Sequence, residues 1–267
     1  MSNLTAWERM EIIRHKNRPT VNDYIPAIFT RFMEFHGDRL YGDDAAIIGG
    51  IGLLSETPVT VIAQVKGRNL DENKKSNFSL PHPEGYRKAM RLAKQAEKFK
   101  RPVICLVDTP GAYCGIEAEE RGQGEAIARS LYEFMTLKTP VISVVLGEGG
   151  SGGALALAVC DELAMLENAL YSVISPRGAA SILWKDSTKE REACDILKIT
   201  AEDLSRFGVC DRIIEEPEGG AHNSLERTAD SIYEYLVDAV SRLKNAEQGA
   251  LLENRYTKFR KIGMFTE

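Results

Sequence analysis

Cysteine is scarce and unpaired: five residues, at 105, 114, 160, 194 and 210, with no Cys-x-x-Cys among them. Histidine is scarcer still, at four, and no two lie at ligand spacing. A zinc site within this chain is therefore not expected, and free thiols in a reducing compartment are. Long apolar runs are also missing. The longest, Ala154 to Cys160, has seven residues, whereas a membrane-spanning helix needs about 20. The first residues, Met1-Ser-Asn-Leu-Thr-Ala-Trp-Glu-Arg, lack a basic start followed by an apolar stretch, so no secretory leader is expected and the cytoplasm is. Positive charge is not in excess: 34 Lys and Arg stand against 39 Asp and Glu, a net charge of −5. That balance argues against specific nucleic-acid binding. No Gly-Lys-[Ser/Thr] occurs, which excludes a Walker A loop.

The 267 residues, 43% apolar and 27% charged, suit a soluble α/β chain with one large core. The pattern predicts two helices in the first 36 residues. Thr5 is a candidate cap for the first, and the second runs from about Val21 to Phe35. From Ala45 the period shortens, and Ala45–Leu54 and Val59–Val65 read as two strands. Arg68 to Gly85 reads as a long polar loop. After it, helices at 84–99 and 118–138 alternate with the apolar strands 103–107 and 141–146. Helix 154–160, strands 163–166 and 170–174 and helix 175–184 follow. Thr200-x-x-Asp203 resembles a capping box, and Ser224 to Lys244 reads as a long amphipathic helix. Alternating strands and helices imply a parallel sheet in α/β layers.

Two loops carry the chemistry. Asp108-Thr-Pro-Gly-Ala-Tyr-Cys-Gly115 and Gly147-Glu-Gly-Gly-Ser-Gly-Gly153 each follow an apolar strand and precede a helix. In an α/β sheet such loops lie at the carboxyl ends of the strands, where ligands bind. Their glycines let backbone N–H groups approach a negative oxygen. The second loop fits several patterns. Gly147-x-Gly149-x-x-Gly152, with Glu167 downstream, fits a dinucleotide fingerprint. Gly149-Gly-Ser151-Gly-Gly153 fits a nucleophile elbow, with His222 as a possible base. The same glycines could simply pack a helix against its strand. A backbone-only oxyanion hole is the remaining reading, and it needs no side-chain nucleophile.

Seven ordered motifs narrow the choice. They are Pro83-Glu-Gly-Tyr-Arg-Lys-Ala89, Asp108-Thr-Pro-Gly-Ala-Tyr113, Ala118-Glu-Glu-Arg-Gly-Gln123, Gly147-Glu-Gly-Gly-Ser-Gly-Gly-Ala154, Tyr171-Ser-Val-Ile-Ser-Pro176, Ala180-Ser-Ile-Leu-Trp-Lys185 and Gly219-Gly-Ala-His222. Together, from about Pro19 to His222, the chain resembles the carboxyltransferase α subunits of multi-subunit bacterial acetyl-CoA carboxylases. The resemblance implies a crotonase (ClpP)-like spiral of ββα units with added N- and C-terminal helices, and a second, smaller sheet. It implies a helical segment 1–36, a carboxyltransferase domain 37–222, and a helix and tail 223–267 that bind a partner.

The resemblance also implies an activity: carboxyl transfer from carboxybiotin to acetyl-CoA, giving malonyl-CoA for fatty acid biosynthesis. The biotin would be carried on a separate biotin carboxyl carrier protein. ATP would be used by a partner biotin carboxylase, and zinc would sit in a β subunit within an α₂β₂ assembly. By resemblance Gly152 and Gly153 form the α subunit's oxyanion hole. Gly111, Ala112, Gly149, Gly150, Ser151 and Ala154 line the substrate, and no metal is held. Two rival enzymes remain. A stand-alone crotonase-type acyl-CoA hydratase or isomerase would need a carboxylate, for which Glu117 to Glu120 is the candidate cluster. A ClpP-like serine hydrolase would use Ser151. The basic residues Arg87, Lys88, Arg91, Lys94 and Lys98, with Lys74-Lys75, read either as a solvated face or as a contact for CoA phosphates or an acidic carrier.

Overall fold

In the computed structural model, residues 4–263 are described. Helix α1 (Ala6–Ile13) starts at Thr5 in a full capping box: the Glu8 amide donates to the Thr5 hydroxyl, and the Thr5 amide donates to the Glu8 carboxylate at 2.7 Å. Helix α2 (Val21–Ile28) is shorter than the sequence suggests. The chain turns extended at Phe29 and forms strand β1 (Thr30–Glu34). The aromatic spacing that reads as helical is used otherwise. Phe32 lies over Gly50 of the next strand, where a Cβ would stand 2.6 Å from the ring.

Strands β2 (Ile47–Leu54) and β3 (Thr57–Gln64) form an antiparallel hairpin, with Ser55 in the left-handed region at φ 52°. The polar stretch after it is not all loop. It holds helix α3 (Leu70–Lys75) and a 3₁₀ turn at Asn77–Ser79. Then come α4 (Pro83–Lys98), β4 (Val103–Thr109), α5 (Ile116–Glu120) and α6 (Gln123–Thr136). The single helix expected at 118–138 is broken at Gly122, φ 82°. Strand β5 (Val141–Gly150) leads into α7 (Ser151–Leu155), which starts three residues earlier than the sequence suggests. Strands β6 (Glu162–Leu166) and β7 (Leu170–Ser172), helices α8 (Pro176–Trp184), α9 (Glu190–Ile196) and α10 (Ala201–Arg206), strand β8 (Arg212–Ile214), and helices α11 (Leu225–Leu243) and α12 (Gln248–Arg260) complete the chain.

The strands form one sheet in the order β1-β2-β3-β4-β5-β6-β8, antiparallel through β3 and parallel from there on. A separate second sheet is not formed among the described residues. Strand β5 overruns its neighbours, and its last residues, Glu148 to Gly150, pair with β7 as a spur of the same sheet. Every residue of β4 is buried, as a central parallel strand requires. One core runs from Val21 to Val240, so α2 and α11 share it with the sheet.

The basic residues of α4 are largely spoken for. Lys88 is 1% exposed, bonded to Asp43 and to the Asp44 carbonyl. Arg87 binds Asp38 at 2.7 Å and Glu84 at 3.0 Å, Arg91 the carbonyls of His36 and Gly37, and Lys94 Glu133 at 2.6 Å. These four hold the 36–44 loop and α6 in place, whereas Lys98, Lys74 and Lys75 are exposed, as a solvated face would have them. The tail is likewise more engaged than its polar composition suggests. Arg255 on α12 is 1% exposed and bonds Asp161 at 2.7 Å and the carbonyls of Phe134, Leu137 and Thr139. One face of the tail therefore docks on its own chain.

Candidate functional site

The two glycine loops leave adjacent parallel strands, β4 and β5, and meet backbone to backbone. A Cβ on Gly150 would stand 2.0 Å from the Pro110 carbonyl oxygen, and one on Gly153 would stand 2.5 Å from the Ala112 amide nitrogen. Gly147 packs on the Asp108 carboxylate and Gly149 on the Tyr171 ring, each within 2.7 Å of a would-be Cβ. Close packing thus explains why these four positions are glycine.

Gly152 is different. A Cβ there would meet only Ile127, at an ordinary 3.4 Å. It is half-buried, in the first turn of α7, and the N-cap Gly150 offers no side chain to that turn. First-turn amides have no partner within a helix. The fold supplies no packing reason for glycine at 152, and its amide and that of Gly153 belong to that unsatisfied turn. Ala154 is fully buried and begins the wall behind them.

Gly111 has φ 156° and open space where a side chain would lie. Its amide, however, donates to the Thr109 hydroxyl at 3.1 Å. Thr109 Oγ1 also lies 2.5 Å from the Ser79 carbonyl and 2.6 Å from the Gly111 carbonyl, which fixes the loop to the 3₁₀ turn. The Ala112 amide nitrogen and the Gly111 carbonyl both face Gly153, each within 3.0 Å of a would-be Cβ.

Ser151 sits at φ 52°, exposed, on a sharp strand-to-helix turn. That is the backbone of a nucleophile elbow, but the base is elsewhere engaged. His222 stacks on His15, ring centroids 3.9 Å apart. Burial, then the neighbouring His15 and Arg18, push its pKa below the ordinary value. No hydrogen bond joins a histidine to Ser151 among the described residues. The carboxylates of Glu117, Glu119 and Glu120 are exposed to solvent, not enclosed against the loops.

An ionic belt, not legible in the sequence, ties the strand ends. Lys66, just past β3, lies 3.2 Å from Glu148 and 3.7 Å from Asp108. Arg14 bonds Glu148 at 2.7 Å. Asp108 accepts the Glu148 amide at 2.9 Å. Arg18 reaches Glu216 and the Leu146 carbonyl, both at 2.7 Å. Burial disfavours the charged form of Glu148, but Lys66 and Arg14 outweigh it and hold its carboxyl below the usual range. Burial likewise opposes the Lys66 charge, and Asp108 and Glu148 overcome it. The belt fixes how far β5 extends and so where α7 begins. Charged residues at 66, 108 and 148 are visible in the sequence, but only the strand order brings them together.

Residues 1–263 match the family described as acetyl co-enzyme A carboxylase carboxyltransferase-like. The chain belongs to that family. It is 60% identical over 264 residues to the acetyl-coenzyme A carboxylase carboxyl transferase subunit alpha of Clostridium acetobutylicum, covering 99% of this chain and 96% of that one. It is also 55% identical to the subunits beta/alpha protein of Clostridium tetani, spanning 98% of this chain but 46% of that longer one. Among solved structures, transcarboxylase 12S superposes with a TM-score of 0.73 at 18% identity, over 91% of this chain and 45% of that chain. The Pseudomonas malonate decarboxylase MdcD-MdcE hetero-dimer gives 0.62 at 16% identity, over 83% of this chain and 89% of that one. This chain spans about half the length of the transcarboxylase chain. At such identities the structural likeness speaks to fold alone, and it supports the crotonase-like fold. Among the described residues no His/Cys/Asp/Glu group is placed to hold a metal ion. Among the described residues no helix is long and apolar enough to cross a membrane either.

Proposed function

We propose that this carboxyltransferase-family chain is the α half of an enzyme that moves a carboxyl group from carboxybiotin to acetyl-CoA, forming malonyl-CoA. The supporting observation is Gly152: a glycine that packing does not require, at the open first turn of a helix, beside Gly153, which packing does require.

The chemistry needs charge stabilisation more than a nucleophile. Bound carboxybiotin supplies the carboxyl group and, once that has left, a negatively charged ureido oxygen. Gly152 and Gly153 direct their amides at that oxygen. Each such donor lowers the barrier by about 3–4 kcal/mol when aimed at developing charge. The thioester oxygen of acetyl-CoA would become negative as the methyl proton passes to the biotin nitrogen that the carboxyl group has left, so no protein base is demanded, and a partner subunit supplies the hole for that oxygen. Ala112 borders the amides from the β4 side, and Gly111, Gly149, Gly150, Ser151 and Ala154 shape the walls. Residues 37–222 carry this chemistry, with 1–36 bracing it and 223–267 taking part in assembly.

The partner is a β subunit in an α₂β₂ complex. The fused beta/alpha relative supports such a pairing, as do the hetero-dimeric malonate decarboxylase neighbours. Val173, just past β7, Ile182 and Leu183 of α8 and Ile196 of α9 are each more than half exposed, apolar side chains suited to contact with that subunit. A biotin carboxyl carrier protein and a biotin carboxylase complete the cytoplasmic system. The test is reconstitution. Mixed with its β subunit, the chain moves carboxyl groups from malonyl-CoA to biocytin, and alone it does not. Full activity from the lone chain contradicts the division of labour.

A further inference from the structure

Helix α7 changes hydrogen-bond step as it ends. Ala156 N donates to the Gly152 carbonyl, in the ordinary helical pattern, but Leu157 N donates to the Ala154 carbonyl and Ala158 N to that of Leu155. The ladder skips the Gly153 carbonyl. Gly153 is buried, so that oxygen would carry the full cost of an unmade bond. It is met instead from across the core. Gln64, the last residue of β3 and 0% exposed, donates its Nε2 to the Gly153 oxygen at 2.8 Å. Tyr86 of α4 is the more distant second donor, at 3.4 Å. Gln64 Oε1 has no hydrogen-bond partner among the described residues.

We propose that Gln64 is a positioning residue for carboxyl transfer, setting the orientation of the peptide that follows Gly153 and with it the aim of the helix's first turn. Gly153 is held on two sides. The 110–112 backbone blocks one movement of its Cα, and Gln64 fixes the rotation of its carbonyl. A turn held this way cannot swing its amides off a developing oxyanion. This inference rests on the reading of Gly152 and Gly153 given above.

The test uses the reconstituted αβ complex with malonyl-CoA and biocytin. Gln64→Met keeps the length of the side chain and removes the donor. The expected result is a fall in kcat of about 10- to 100-fold, with the KM for either substrate changed less than threefold and assembly unchanged by gel filtration. Gln64→Glu adds a readout that a merely structural role does not give. The carboxyl group it introduces repels the Gly153 carbonyl when ionised and donates to it when protonated, so kcat of this variant, normalised to folded complex, rises as pH falls while that of the wild type does not. A Gln64→Met enzyme with lowered thermal stability but kcat within twofold of wild type overturns the proposal, as does a Gln64→Glu pH profile parallel to wild type. Gly152→Ala, run alongside, separates the two claims. If it is inactive while the Gln64 variants are active, only the Gln64 role fails. If all three are active, the oxyanion reading itself fails.

Discussion

Gly153 and Ala112 touch through their main chains, so closely that a methyl group on Gly153 would lie 2.5 Å from the Ala112 nitrogen. The same substitution one residue earlier meets only Ile127 at 3.4 Å. The pair therefore separates packing from chemistry. Gly153→Ala must push the two loops apart, destabilising the chain by about 1–3 kcal/mol and abolishing turnover. Gly152→Ala should change stability by less than about 1 kcal/mol, yet lower kcat at least tenfold, because its methyl group narrows the approach to the open amides. Urea unfolding and carboxyl-transfer assays on both variants check this. A fully active Gly152→Ala contradicts it.

Ser151→Gly should retain carboxyl transfer within a few-fold of wild type. Glycine accepts φ 52° without the cost that serine bears there, so stability should hold or rise by up to about 1 kcal/mol. A fluorophosphonate should not label the wild-type chain at Ser151. Labelling, together with loss of activity in Ser151→Gly, would restore the hydrolase reading.

Arg255→Ala should cost about 3–5 kcal/mol, since it strands Asp161 and the carbonyls of Phe134, Leu137 and Thr139 without their cation. Denaturant melts measure the loss, and limited proteolysis should show α12 cut first. An Arg255→Ala chain as stable as wild type would mean that α12 is not docked through this residue.

Asp38 should make stability pH-dependent at the acid end. Burial raises its pKa, but the amides of Leu40, Tyr41 and Gly42 and the Arg87 guanidinium overcome that and hold it at about 2. A depressed carboxyl adds stability that is present above the unfolded value near 3.8 and fades as pH falls toward 2. The contribution at neutral pH is roughly 2 kcal/mol. Unfolding free energies of wild type and Asp38→Asn should differ most at pH 6–7 and converge only as pH falls to about 2 and below. A gap independent of pH would exclude this origin.

Much of the central sheet could be read from sequence because its strands are short all-apolar runs bounded by glycine and proline, and burial on both faces leaves no other use for them. The Thr5 and Thr200 caps were legible for the same local reason: each side chain satisfies an amide three residues on. What escaped was non-local. Phe32 fits helical spacing equally well until Gly50 is known to lie across from it. The α4 cations look like a charged surface until the 36–44 loop folds over them. Arg255 in a polar tail carries no local mark of burial. At the site, the glycine loops were visible, but their mutual contact was not, nor was Gln64, whose partner lies on a different strand's loop. Nothing in sequence spacing distinguishes Gly152, open on one side, from the packed glycines around it.

The most direct test of the central claim is a crystal structure of the assembled α–β complex with biotin bound at the carboxyltransferase centre. The ureido oxygen is expected about 3 Å from the amide nitrogens of Gly152 and Gly153. An oxygen bound elsewhere, with those two amides turned toward protein acceptors, would contradict it.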